Sequence, residues 1–307
     1  MNKPLVSVIM PVYNASEFLD NAITSIIKQT YQNFEFIIID DASVDNSWQI
    51  IQKYKKLYPD KIKAFHLKRN LNRGGDACFN IGLKYARGKY IARMDADDIA
   101  HPQRLEKQVK FLEKNSHVFL VGASAYVIDQ QGKKIGEKIM PIHHEDIFSE
   151  YVIFHPIIHS TIMFRNHIIK RVNFYRQYFS SNNDYYTLFE LINKGYRFEN
   201  LPDKLVYYRI HSRNDSLRNI KRSFFNTLKA RVLIIKKYHY PLKASQFIKN
   251  ILQLLLIIIL PEKFILTLYL LSRGIIKKEN IVKKIKKSFL APFSTLIKKE
   301  KLSVAPR

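Results

Sequence analysis

Over its first hundred residues the chain alternates between two hydrophobic periods. Short apolar runs, LVSVIM (5–10), FEFIIID (34–40), IKAFHL (62–67) and KYIARM (89–94), read as strands. Between them apolar residues recur at helical spacing: Phe18, Leu19, Ala22, Ile23, Ile26 and Ile27; then Trp48, Ile51, Tyr54, Leu57 and Tyr58; then Ala77, Ile81, Leu83, Tyr85 and Ala86. A strand without a polar face must be covered on both sides, and the intervening helices supply the cover. The pattern therefore predicts an α/β fold with a Rossmann-like, mostly parallel sheet flanked by helices. Asn14 and Ser16 are placed to cap the first helix, and Asp45, Asn46 or Ser47 the second. The opening MNKPLVSVIMPVYNAS has too short an apolar stretch for a signal peptide and reads as the first strand.

The pattern then changes. FLVGASAYVI and STIMF, on either side of the turn DQQGKK, continue the sheet through 118–164. NDYYTLFELINKG is a helix closed by Gly195, and KLVYYRI (204–210) is one more strand. After Leu217 the chain turns helical, basic and rich in Ile and Leu, which sets a boundary near 216 and two regions, 1–216 and 217–307. The basic excess sits in the second: 21 Lys and Arg against three Glu, a net +18 that leaves only +7 of the +25 for the first 216 residues. ILQLLLIIIL (251–260) and FILTLYLL (264–271) are separated by Pro261, Glu262 and Lys263. Neither half reaches the roughly 18–20 uncharged residues of a spanning helix. The single cysteine, Cys78, excludes an internal disulfide framework, fits a reducing compartment and reads as a small buried filler.

In open parallel sheets the ligand crevice lies outside the carboxyl ends of the strands. The unusual polar stretches fall there repeatedly: PVYN, DDASVD, RNLNRGGD and DADD follow strands one to four. Asp95, Asp97 and Asp98 crowd three carboxylates into four residues. A helix cap needs one; three repel one another unless a cation sits among them, and Mg²⁺ or Mn²⁺ prefers such hard oxygens and completes its shell with water and substrate phosphates. Asp40 and Asp41 either start a helix or accept hydrogen bonds from a base or ribose. NLNRGGDACFN lacks the spacing of either common phosphate-binding loop.

VSVIMPVYNA, DDASVDNS, NLNRGGDACFNIGLKYARGKYIARMDADD and NDYYTLFELINKGYRFENLPDKLVYYRIHSRNDS, in that order, resemble glycosyltransferase family 2 over roughly residues 4–216. The resemblance implies a GT-A fold and an inverting enzyme that uses a nucleotide-diphosphate sugar and Mn²⁺ or Mg²⁺. Residue by residue, it implies that Pro11 and Tyr13 wall the base pocket and that Asp41, with Asp40, contacts the base. Asn72 and Arg73 would lie near the nucleotide, Asp95 would face the ribose or the metal, and Asp97 would be the principal metal ligand with Asp98 beside it. His211 would approach the diphosphate or the metal, and Arg209 the diphosphate. Two departures stand out: Phe79 precedes Asn80 where the family usually has Arg, and Asn183 precedes Asp184 where it usually has Glu. The second leaves Asp184 as the catalytic base.

His155 and His159 in HPIIHST, with His143 and His144, match no zinc spacing; in the family this stretch lines the acceptor side. The implied acceptor is a glycan or lipid-linked hydroxyl in surface polysaccharide synthesis, with UDP the family-weighted nucleotide. The basic apolar helices of 217–307 have the composition of helices lying in a membrane interface, where each basic residue contributes about 1 kcal/mol near anionic lipid. They point to a cytoplasmic enzyme, peripheral on the membrane face; a homodimer interface is the other use for them. No helix-turn-helix, zinc finger or aromatic RNA motif accompanies the lysines, so nucleic acid is a poorer explanation for them and no nucleic-acid partner is expected. The rivals are a nucleotidyltransferase acting on sugar phosphates and a non-catalytic membrane-surface protein. The first needs a Gly-rich basic loop after strand one, absent from PVYNASEF, and the second leaves the carboxylates unexplained.

Overall fold

The computed structural model describes residues 3–71, 74–169, 174–175, 183–214 and 219–272. Its first half follows the alternating pattern. β1 (Val6–Val12), α1 (Ser16–Ile27), β2 (Phe34–Asp40), α2 (Ser47–Leu57), β3 (Ile62–His66), α3 (Gly74–Tyr85) and β4 (Tyr90–Arg93) succeed one another, and the strands lie parallel in the order β3-β2-β1-β4. Successive side chains of β1 go to opposite faces. Val6, Val8 and Met10 pack with Leu19, Ile23 and Ile26 of α1, while Ile9 packs with Cys78 and Phe79 of α3 on the other side. This two-sided cover is the reason the strand sequences carry no polar alternation.

The second half is β5 (Ile99–Ala100), α4 (Arg104–Lys114), β6 (Val118–Ile128), β7 (Lys134–Lys138), α5 (His144–Glu150), β8 (Met163–Arg165), α6 (Asn166–Ile169), α7 (Asn183–Asn193) and β9 (Arg197–Arg209). The sheet continues from β4 through β8, β6, β9 and β5, with β7 on β6. Here antiparallel pairs enter: β8 runs against β4 and β6, and β5 against β9, while β6 and β9 are parallel. The strand expected at 204–210 begins at Arg197, because its first residues already pair with β6. β5 is too short to carry any periodic signal. It pairs Ile99 with Tyr207 and Ala100 with Val206, and so fastens the acidic turn to the end of β9.

Helix capping differs from the local expectation. The Ala15 N–H donates to Ser47 Oγ (2.9 Å), on the first residue of α2, and the Ser16 N–H to Asp45 Oδ2 (3.0 Å), in the loop before it. Asp45 Oδ1 also accepts from the Ser47 N–H (2.9 Å), and Asn14 Oδ1 accepts from the Val44 N–H (2.9 Å). One carboxylate thus serves two helix starts, and the loops after β1 and β2 are locked together. Asn14 and Ala42 take left-handed φ angles of 48° and 57°, which residues with a Cβ adopt rarely. Both lie at the crevice, where such strain commonly collects.

Three helices close the described chain: α8 (Ile220–Tyr238), α9 (Ala244–Ile259) and α10 (Glu262–Ser272). α8 sets Ala230 and Ile234 into the same core as Tyr186 and Phe189 of α7. Among the described residues no helix is long and apolar enough to cross a membrane. The boundary expected near 216 and the basic segment 273–307 lie outside the described residues.

Candidate active site

β4 runs straight into the acidic turn, and there the three carboxylates part company. Asp95 Oδ1 accepts from Arg93 Nε (3.0 Å) and Asp97 Oδ2 meets His211 Nε2 (3.0 Å); their side chains stay 29% and 30% exposed. Asp98 is buried and turns inward, accepting from Ser160 Oγ and from the Arg209 N–H (2.8 Å). Burial, with the charges of Asp97 and Asp95 added, pushes the Asp98 carboxyl well above the usual range. It is a fastening inside the fold, whereas the sequence leads one to expect a third metal ligand. Burial raises Asp95 too, opposed by Arg93 and reinforced by Asp97 and Asp184.

Arg209 also departs from expectation. Its buried guanidinium donates from Nε to the Asp97 carbonyl (2.8 Å) and from Nη1 to the Asp129 and Gln130 carbonyls (3.1 and 2.9 Å), above the Phe18 ring. These bonds make it a clamp on the acidic turn where a diphosphate contact is expected. His211 is held by its own N–H to Asn214 Oδ1 (2.7 Å) and by Phe18 against its ring, so Nε2 stays aimed at Asp97.

At the neighbouring strand ends, Pro11 is buried in β1 and Tyr13 is exposed. Asp40 is fully buried between His66 Nδ1 (2.5 Å) and the Ser43 N–H (3.2 Å). Asp41 accepts from the Leu71 N–H (2.9 Å), and burial raises its carboxyl despite that bond. Asn72 and Arg73 lie outside the described residues.

Two further charged residues escape the motif reading. Arg93, the last residue of β4, is buried with Nη1 on Asp76 Oδ1 (3.1 Å) and Nε on Asp95, and its guanidinium lies over the rings of Phe79 (5.2 Å) and Tyr175 (5.5 Å). At the position where the family usually carries Arg, this chain has a ring with an arginine from β4 resting on it. Gly75 makes room for it: a Cβ there would come within 2.8 Å of Arg93 Nη2 and 3.1 Å of Pro11 Cβ. Asp76 is pushed up to about 7 by burial, with Arg93 pulling it down and Asp184 and Asp95 raising it. The available signal was an Arg inside a buried strand, a place that requires a carboxylate partner.

Asp184 lies in the first turn of α7, with Oδ2 3.0 Å from His155 Nε2 and 3.6 Å from His159 Nδ1. Burial alone would raise its carboxyl; the two histidines and the Tyr185 N–H outweigh burial and hold it well below the usual range. Burial and the Arg93 charge keep His159 neutral, its Nε2 on Tyr175 Oη (2.5 Å). HPIIHST thus supplies supports for a carboxylate, and His143 and His144 stand apart, near Glu199 and the Phe198 N–H.

Among the described residues no three His, Cys, Asp or Glu side chains form a ready-made metal cage. Asp95 and Asp97, half-open oxygen donors with His211 alongside, fit a hard divalent cation that takes the rest of its shell from phosphates.

Compared with known proteins, residues 7–172 match the family model for Glycosyl transferase family 2. An uncharacterized glycosyltransferase of Haemophilus influenzae is 34% identical over 285 residues, 82% of this chain and 85% of that one. The UDP-Glc:alpha-D-GlcNAc-diphosphoundecaprenol beta-1,3-glucosyltransferase WfaP of Escherichia coli is 28% identical over 235 residues, 76% and 89% of the two chains. Among solved structures, the mannosyltransferase PcManGT from Pyrobaculum calidifontis, in complex with GDP-Man and Mn²⁺, superposes with a TM-score of 0.57 at 16% identity, covering 96% of this chain and 84% of that one. The sheet and helices described above are those of the GT-A fold.

Proposed function

The chain belongs to glycosyltransferase family 2, and from that premise we propose that it transfers a sugar, with inversion, from a UDP-sugar to a hydroxyl of a lipid-linked glycan at the cytoplasmic membrane face. The observation that carries the proposal is the line of contacts that joins the acidic turn to Asp184: Asp95 on Arg93 (3.0 Å), Arg93 on Asp76 (3.1 Å), Asp76 near His159 (3.9 Å) and His159 near Asp184 (3.6 Å). Family membership sets aside the nucleotidyltransferase and the non-catalytic alternatives. The E. coli relative, named for a UDP-sugar donor and a diphosphoundecaprenol acceptor, supports the choice of nucleotide and of acceptor class.

In this proposal each residue has a separate task. Asp184, kept ionised, accepts the proton of the attacking hydroxyl, help that is worth roughly 10²- to 10⁴-fold. His155 orients that carboxylate through its 3.0 Å contact. Asp95 and Asp97 hold a Mn²⁺ or Mg²⁺ ion, His211 steadies Asp97, and Asp98 and Arg209 keep the turn rigid. The ion, when bound, would take up negative charge developing on the leaving diphosphate. Pro11, Tyr13 and Asp41 line the nucleotide side. A single displacement inverts the anomeric centre, so the product linkage is opposite in sense to the donor.

Calorimetry with UDP, GDP and dTDP, each with and without Mn²⁺, tests this. UDP binding that requires the ion is expected. Binding of none of the three overturns the donor proposal, and ion-independent binding overturns the metal.

A further inference from the structure

α9 is turned inside out for a helix exposed to water. Its inward positions are Gln246, Asn250, Gln253 and Ile257, at intervals of four, three and four. The three amides are engaged there: Gln246 Nε2 donates to the Ser149 carbonyl (2.7 Å), Asn250 Nδ2 to the Val152 carbonyl (3.0 Å), and Arg231 Nη1 to Asn250 Oδ1 and Gln253 Oε1 (2.8 Å each). The outward side carries Phe247, Ile248, Ile251, Leu252, Leu255 and Ile259, each 41–71% exposed, and α10 extends it with Phe264 and Leu268. Scattered exposed apolar residues are ordinary; two consecutive helices presenting them, the first with its amides turned to the protein, are not.

We propose that this face seats the protein on an anionic lipid bilayer, with α9 and α10 lying in the plane of the interface. Charge decides between the possible occupants. The region 217–307 carries a net +18, and Lys243 and Lys249 lie exposed beside and on α9. A second copy would set basic residues against basic residues, whereas an anionic surface is complementary to them. At 16 and 11 residues the helices suit a position along the interface, since neither is long enough to span it.

The placement also reaches the site. The carbonyls that anchor α9 and its partner Arg231 belong to Ser149, Val152 and Ile153, the segment that runs directly into His155 on Asp184. A bilayer under α9 therefore lies next to the acceptor side of the crevice. That last step rests on the lipid-linked acceptor proposed above; the membrane seat itself does not.

The test is co-sedimentation of the full chain with vesicles of phosphatidylglycerol and phosphatidylcholine, against phosphatidylcholine alone. The wild type should pellet with the anionic vesicles only. Ile251→Asp with Leu255→Asp should weaken that binding at least about tenfold, a change of about 1.4 kcal/mol, without altering the melting temperature. Should that pair lower the melting temperature, Ile251→Ser with Leu255→Ser repeats the measurement. Failure of the wild type to bind, or variants that bind as tightly, would overturn the proposal; so would a wild-type dimer in sedimentation velocity that the same changes dissolve. No donor enters the assay, so failure of the sugar-transfer proposal in calorimetry would leave this result standing, and the reverse holds too.

Discussion

The two rims of the crevice are assembled in opposite ways. One rim, proposed above to hold the donor, comes from consecutive loops at the ends of parallel strands, with Asp95 and Asp97 delivered by the residues immediately after β4. The other, proposed to face the acceptor, gathers Asp184 from α7, His155 and His159 from the segment before β8, and Tyr175, sites 29 or fewer residues apart in sequence but in separate elements. Arg93 and Asp76 bridge the two, being paired with each other and placed under the influence of both Asp95 and Asp184. A strand end is a local feature that repeats wherever a parallel strand stops. A rim built across elements exists only after the chain has closed.

If the rims have separate tasks, their variants should fail differently. Asp184→Asn should show the largest effect, lowering the transfer rate about 10³-fold while UDP binding in calorimetry is unchanged. Near wild-type turnover in that variant would move the base elsewhere. Asp97→Ala should lower kcat/KM by about 10²-fold or more and remove the response of donor binding to Mn²⁺, a response that Asp184→Asn keeps. Asp98→Ala, one residue away, should act on folding: Ser160 Oγ and the Arg209 N–H lose their acceptor, costing about 1–3 kcal/mol. A thermal melt should show this drop for Asp98→Ala and not for Asp97→Ala; equal melts would erase the distinction between the two carboxylates.

The smallest effect belongs to Glu35, near the start of β2 and so at the end of the sheet away from the crevice. Burial would raise the Glu35 carboxyl, but Ser7 Oγ, the Arg87 N–H and Lys63 outweigh it and hold its pKa below the ordinary 4.5. A lowered folded-state pKa means stability that is present above the unfolded value and lost as pH falls through the folded one. Glu35→Gln should therefore cost about 1–2 kcal/mol near pH 7 in urea unfolding, and the gap to wild type should narrow as pH falls below 4.5 and through the lowered folded-state value. A gap independent of pH would show that the ionised carboxylate contributes nothing.

Much of the fold was legible because both faces of the central sheet are buried, so β1, β2 and the helices α1 to α3 announce themselves by period alone. The acidic turn was legible as a cluster of like charges with no local use. What stayed hidden was the division of labour inside it: Asp97 and Asp98 are the same residue type one position apart, and only the pairing of β5 with β9 turns one outward and the other onto Ser160. Arg209 was hidden for a similar reason, since a strand-terminal arginine reads the same whether its guanidinium faces phosphate or carbonyl groups. Capping crossed between loops because Asp45 reaches α1 through space rather than along the chain.

α1 and α9 mark the limit most sharply. Both are amphipathic with helical period, yet α1 buries Phe18, Leu19, Ile23 and Ile26, while α9 turns Gln246, Asn250 and Gln253 inward and leaves its leucines and isoleucines outside. Periodicity is a property of the backbone helix, and so the sequence alone determined which residues share a face. Which face meets the protein depends on the partners waiting there. For α9 these are the carbonyls left open at Ser149, Val152 and Ile153, and polar groups without partners in the interior cost more than apolar groups left outside. Only the tertiary structure could supply those partners.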